Sequence, residues 1–156
     1  MYLYIFMVSV FFTYVIGIAS KYGILGSISE SYYRLPDKWK FVFTFFCWSI
    51  SIPAIILGDS VFMFLAGTSI AFVGAAASFK EKTEHKVHMI GAFTGVIFSQ
   101  LSIAFDFHFY WINTVFLSWV LLIVILTWVL KRNIKYFYWI EIVAFLSIII
   151  SLYSKI

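Results

Sequence analysis

Long apolar runs fill nearly all of this chain, and every Lys and Arg but one falls in a gap between alternate runs. A water-soluble fold cannot use such a pattern, because it leaves no polar face with which to cover a core. The chain is 63% hydrophobic and 12% charged over 156 residues, whereas a soluble domain is about half apolar and about a quarter charged. A bilayer can solvate the excess. A helix needs roughly 20 apolar residues to cross about 30 Å of hydrocarbon. Six segments approach or meet this, at 2–20, 37–57, 60–78, 87–104, 109–130 and 134–154. They are continuous rather than alternating with period two, which selects helices over barrel strands. The expectation is a single all-α domain, a polytopic bundle of six transmembrane helices.

The basic residues sort by gap. Lys21, Arg34, Lys38 and Lys40 lie between the first two runs, Lys80, Lys82 and Lys86 between the third and fourth, and Lys131, Arg132 and Lys135 between the fifth and sixth. The opposite turns carry Asp59 and Asp106, and Lys155 alone departs from the rule. Short loops rich in Lys and Arg face the cytoplasm, so both termini are expected outside, in a bacterial cytoplasmic membrane. The net charge of +4 then reports topology and not a nucleic-acid partner. Met1–Ser20 lacks a basic residue ahead of its apolar run and has Lys21 behind it, the reverse of a secretory leader, so it reads as a true first span. Aromatic residues gather at both expected boundaries: Trp39, Tyr136, Tyr138 and Trp139 on one side, Tyr2, Tyr4, Tyr110, Trp111 and Tyr153 on the other.

Local signals refine this frame. Pro36 and Asp37 suit a helix start. Pro53 lies deep in the second span, where it removes a backbone donor and predicts a kink covered by Ser49. Ser27-Ile28-Ser29-Glu30 has capping-box spacing and predicts a short interfacial helix ending before Pro36, with Ile28, Tyr32, Tyr33 and Leu35 on the membrane surface; an ordered coil is the alternative. Gly67, Ala71 and Ala75 recur every fourth residue, as do Gly91, Gly95 and Ser99. Such strips let helix backbones approach closely. They predict antiparallel packing of the third and fourth spans, with a homodimer face as the alternative.

Residues able to carry chemistry are few. Cys47 is the one cysteine, which excludes an internal disulfide and a Cys-based metal site. His85 and His88, with Glu84 and Glu81 near them, resemble part of a zinc site, but zinc needs three or four ligands; the alternative is a pair of headgroup-level histidines between Lys82 and Lys86. His108, beside Asp106, belongs to the other side. A helix of about 18 residues rises roughly 27 Å, so no one site can use all three histidines. Glu141 stands out most, because it is a carboxylate about two turns into the sixth span. Charge there is costly and is turned inward, paired or hydrated; it marks either a proton or cation site or a Glu held by Lys135 or a neighbouring loop. Thr94, Gln100, Asn113 and Thr114 read as interhelical hydrogen-bonding groups. No phosphate loop, HExxH motif, mid-span lysine or internal repeat occurs.

The loop Ser27-Ile28-Ser29-Glu30 with Pro36, the Ala66-Gly67…Val73-Gly74 span and His88 opening the next span together resemble an uncharacterised family of small six-helix prokaryotic membrane proteins, distantly similar to DRAM-like membrane proteins. That family shows a proline after its Val-Gly pair, where this chain has Ala75-Ala76-Ala77-Ser78-Phe79. The resemblance implies a six-helix bundle and no activity. The leading expectation is a non-enzymatic integral membrane protein without a cofactor, a scaffold that binds membrane lipids, other membrane subunits or a second copy of itself. The alternatives are a metal-dependent membrane hydrolase using His85, His88 and Glu84, and a small channel or proton-coupled carrier using Glu141.

Overall fold

A computed structural model describes residues 1–76, 83–129 and 135–156, with the backbone alone at 76 and 83–85. The described residues are helical, with no strand. Helix α1 (Tyr2–Tyr22) ends at Gly23, whose φ of 72° is open to glycine and whose amide returns to the Ala19 carbonyl. A loop carrying α2 (Ser31–Arg34) leads through a 3₁₀ turn (Asp37–Trp39) into α3 (Phe41–Gly58). Asp59 stops α3 in the left-handed region at φ 46°, ψ 39°, where an Asp is tolerated better than most side chains. Helices α4 (Val61–Ala76), α5 (Thr83–Phe105), α6 (Tyr110–Val124) and α7 (Tyr136–Tyr153) follow, with one π-helical turn (Ile125–Val129) after α6. Among the described residues five helical stretches are long and apolar enough to cross a membrane, and α4 is a shorter apolar helix beside them.

The tightest packing joins α3, α4 and α5. Ser51 Oγ donates to the Gly67 carbonyl at 2.7 Å, Trp48 Nε1 to the Ala71 carbonyl at 3.3 Å, and Thr44 Oγ1 to the Gly74 carbonyl at 2.9 Å. The donors climb α3 as the acceptors descend α4, so the two helices run antiparallel in one register. Small residues make the ladder reachable, because nothing larger fits between the backbones. A Cβ on Gly67 would lie 2.5 Å from Ile55 Cγ1 and 3.0 Å from the Ser51 carbonyl, and one on Gly74 would lie 2.7 Å from Cys47 Cβ.

Helix α5 packs on a different edge of α4. A Cβ on Gly91 would sit 3.1 Å from Val73 Cγ2 and 3.3 Å from the Ser69 carbonyl; one on Gly95 would sit 3.4 Å from Ile70 Cγ1. Thr94 Oγ1 meets Ser69 Oγ at 3.1 Å across the same seam. The α4 atoms nearest the α5 glycines thus come from Ser69, Ile70 and Val73. Gly67 and the Ala71 carbonyl serve α3, and the glycines of α5 rest on the ridge of Ser69, Ile70 and Val73. The reason is geometric: α4 has small residues on two sides, and each side has its own neighbour. Ser99 is fully buried, with its hydroxyl returned to the Val96 carbonyl at 2.8 Å.

These distances separate two substitutions. Gly95→Ala places its methyl in ordinary contact and removes unfolded-chain freedom, so it is expected to be neutral or to stabilise by about 0.4–1 kcal/mol. Gly67→Ala forces the methyl against the γ1 methylene of Ile55 and is expected to cost about 1–3 kcal/mol by overpacking. Thermal unfolding of both variants in detergent checks the pair; equal melting temperatures would place Gly67 away from α3.

Aromatic packing ties α1 and α7 to this unit. Phe46 on α3 stacks on Tyr14 at 4.2 Å between ring centres and meets Phe145 of α7 edge-on at 5.6 Å. Pro53 is buried inside α3. At one end of the molecule Tyr4 of α1 meets Tyr153 of α7 at 5.9 Å, and Lys155 lies over the Phe107 ring at 5.3 Å.

Candidate functional site

Of the four apolar residues expected on the outer face of the loop between α1 and α3, Ile28 is instead turned into the core, Tyr32 and Leu35 are half-buried, and Tyr33 is exposed. Leu25 and Ile28 are 4% and 3% exposed and belong to the core, while Tyr33, at 63%, points outward. Ser27 Oγ accepts the Glu30 amide at 3.0 Å, as in a capping box, but Glu30 Oε2 takes the Gly26 amide at 2.7 Å. The helix that follows lasts only four residues, so the short helix expected here is a single turn set in an ordered coil. Arg34 grips Glu30 Oε1 through Nε and Nη2 at 3.1 and 2.8 Å. That pairing, with the Gly26 amide, holds the Glu30 carboxyl below the usual carboxylate range. Its small contribution to stability is present at neutral pH and is lost as the pH falls through its lowered pKa. Ser31 is fully buried; its hydroxyl donates to the Ile28 carbonyl at 2.5 Å, so Tyr14 is the donor in the 2.6 Å contact between Tyr14 Oη and Ser31 Oγ.

This loop is fastened to the start of α7 at three points. Lys135 Nζ donates to the Ile24 carbonyl. The Tyr138 amide, one of the first-turn donors that a helix leaves unpaired, donates to the Gly26 carbonyl at 3.1 Å. One turn further, Glu141 Oε2 accepts the Ile28 amide at 2.5 Å, with the Ser29 amide beside it. Glu141 is thus held by a neighbouring loop, and the nearby Lys135 is engaged with that same loop instead.

Beneath the loop lies a cavity of about 60 Å³ between α3, α4, α5 and α7. Ile28 and Ser29 form its roof, Phe43, Phe46 and Phe145 line it with rings, and Ser99 and Glu141 bring polar groups to it. Among the described residues, Glu141 is the one charged residue on its walls.

The other candidates are dispersed. His85 and Glu84 are described by backbone alone, and Glu81, Lys80, Lys82, Lys131 and Arg132 lie outside the described residues. His88 is partly buried on α5. Among the described residues no three His, Cys, Asp or Glu side chains gather as metal ligands. His108 takes a left-handed backbone at φ 57° in the turn after α5, with Asp106 exposed beside it and Phe107 buried. Asn113 Nδ2 donates to the Gln100 carbonyl and to Gln100 Oε1 at 3.0 and 3.1 Å, linking α6 to α5. Thr94 and Thr114 return their hydroxyls to the Ile90 and Tyr110 carbonyls of their own helices. Four buried side-chain atoms among the described residues have no partner, namely Gln100 Nε2, Asn113 Oδ1, Trp119 Nε1 and Thr127 Oγ1, and all fall on α5, α6 or the π turn after it.

Sequence reasoning singled out Glu141 but not its partners. Backbone amides of Ile28 and Ser29 leave no mark in a sequence; the capping-box spacing signals an ordered loop and says nothing of where it docks. No family model, curated protein or solved structure matches this chain.

Proposed function

We propose that this chain is a non-enzymatic integral membrane protein of six spans, a scaffold that binds membrane lipid and offers its outer faces to partner subunits or a second copy. The observation that carries this reading is the ring of large apolar side chains turned outward on every long helix. Phe12, Phe45, Phe64, Phe93, Leu117 and Ile150 are 45%, 53%, 52%, 56%, 64% and 46% exposed. Water does not tolerate contiguous apolar surface of that extent on a monomer, whereas acyl chains solvate it. Helix α4 supplies the sixth span: its 16 described residues rise about 24 Å, and its neighbours α3 and α5 satisfy or shield it on two sides. Lys21, Arg34, Lys38, Lys40 and Lys135 share the end that carries the first loop, which favours that end as cytoplasmic, in a bacterial inner membrane with both termini outside. A carrier or channel using Glu141 is the second reading, favoured by the cavity that Glu141 lines.

Cysteine accessibility tests the arrangement. Asp59→Cys and Asp106→Cys are expected to react with an impermeant thiol reagent added to intact cells, and Lys86→Cys only after the cells are opened. The reverse pattern would invert the topology, and labelling of Asp59→Cys and Lys86→Cys from the same side would remove α4 as a span.

A further inference from the structure

We propose that the cavity beneath the first loop is a binding site for a small uncharged apolar molecule, of the size of dioxygen or ethylene. The space is built by short side chains. Helix α5 brings Ala92, Gly95 and Ser99 to it, at a spacing that puts them on one face; α7 brings Ala144 and α3 brings Cys47. Around it the helices pack without slack. A Cβ on Gly74 would lie 2.7 Å from Cys47 Cβ, and one on Gly91 would lie 3.1 Å from Val73 Cγ2. Packed interiors keep few voids larger than a water, so this space is a local feature and not general looseness.

The walls set the kind of guest. Phe43, Phe46, Phe145, Ile70 and Ile148 present carbon to it. The polar side chains among them are engaged with the protein itself. Ser99 donates to the Val96 carbonyl, Ser29 meets Ser27 Oγ at 3.0 Å, and Glu141 accepts the Ile28 amide. A buried water needs about two to four polar partners, whereas apolar cavities stay dry and take apolar guests. A charged or hydrogen-bonding guest would exchange its water for carbon walls, at a cost. Volume sets the size. A dry cavity of about 150 Å³ holds a benzene, and in proportion about 60 Å³ admits a guest of about two or three heavy atoms.

The test uses the full-length protein in lipid nanodiscs, with isoleucine, leucine and valine methyls followed by NMR and xenon as the probe. Xenon also dissolves in lipid. Ile56 and Leu117, 60% and 64% exposed, therefore report the bilayer, while Ile70, Val73 and Ile148 report the cavity. With rising xenon pressure the wall methyls are expected to shift saturably, and the lipid-facing ones in simple proportion to pressure. Benzene is expected neither to saturate the wall methyls nor to displace xenon. Ala144→Val grows a side chain into the space and is expected to weaken xenon binding by at least roughly tenfold. If that variant does not fold, the wild-type comparison of xenon with benzene decides alone. A response merely proportional to pressure at the wall methyls, as a cavity already filled by water or a lipid chain would give, would overturn the proposal. So would unchanged xenon affinity in folded Ala144→Val, or saturable benzene binding at the same methyls. None of these results bears on the number or direction of the spans, which thiol labelling reads separately.

Discussion

Replacing Phe46 by alanine is expected to cost about 2–3 kcal/mol, against almost nothing for Phe72→Ala. The two phenylalanines differ in what surrounds them. Phe46 is 1% exposed and its ring lies 4.2–6.4 Å, centre to centre, from those of Tyr14, Phe11, Phe43 and Phe145, so it joins α1, α3 and α7. Phe72 is 59% exposed on α4 and faces lipid in the proposed arrangement. In a bilayer the unfolded reference also keeps a phenyl ring out of water, so the transfer free energy that dominates soluble cores largely cancels. What remains is lost packing. A void of about 100 Å³ at roughly 24 cal/mol per Å³ gives about 2.4 kcal/mol. Equilibrium unfolding in mixed micelles, measured for both variants, reads the difference. Comparable losses would mean that this aromatic cluster is not the joint between the helices.

That cluster was only half visible beforehand. Apolar runs and the lengths between charged gaps specify helices, because lipid leaves a backbone no other open-ended choice. They do not say which of 19 phenylalanines turns inward, since an apolar solvent removes the usual contrast between faces. Polar and small residues are the remaining signals, and they were legible in kind more than in partner. Gly67 announces a close approach, yet both α3 and α5 border α4, and only the positions of Ile55 and Ser51 show that α3 takes it. Ile28 reads as a surface residue in a loop; its burial follows from the docking of that loop on α7, a contact made through main-chain atoms. Glu141 was conspicuous for the opposite reason, since one carboxylate among Trp139, Ile140, Ile142 and Val143 cannot be filler.

Glu141→Leu is expected to release the first loop. In the native fold the carboxyl accepts the Ile28 amide at 2.5 Å and lies beside the Ser29 amide. Leucine fills similar space and leaves both amides without that acceptor, at about 1–3 kcal/mol for each one that stays buried. The loop can escape this cost by lifting until water reaches the amides. Its other ties then carry it alone: Lys135 on the Ile24 carbonyl, the Tyr138 amide on the Gly26 carbonyl, and Tyr14 on Ser31. Glu141→Gln retains an oxygen acceptor at the same reach, so it should hold the loop nearly as well while losing the charge. Amide hydrogen exchange separates these outcomes. Ile28 and Ser29 should exchange much faster in Glu141→Leu than in the wild type, with Glu141→Gln close to wild type and the amides of α4 and α5 unchanged in both. Faster exchange throughout the molecule would make Glu141 a residue of the general core. Unchanged exchange at Ile28 and Ser29 in Glu141→Leu would show that the loop is held by Lys135 and Tyr14 and that the carboxyl of Glu141 is free for other work.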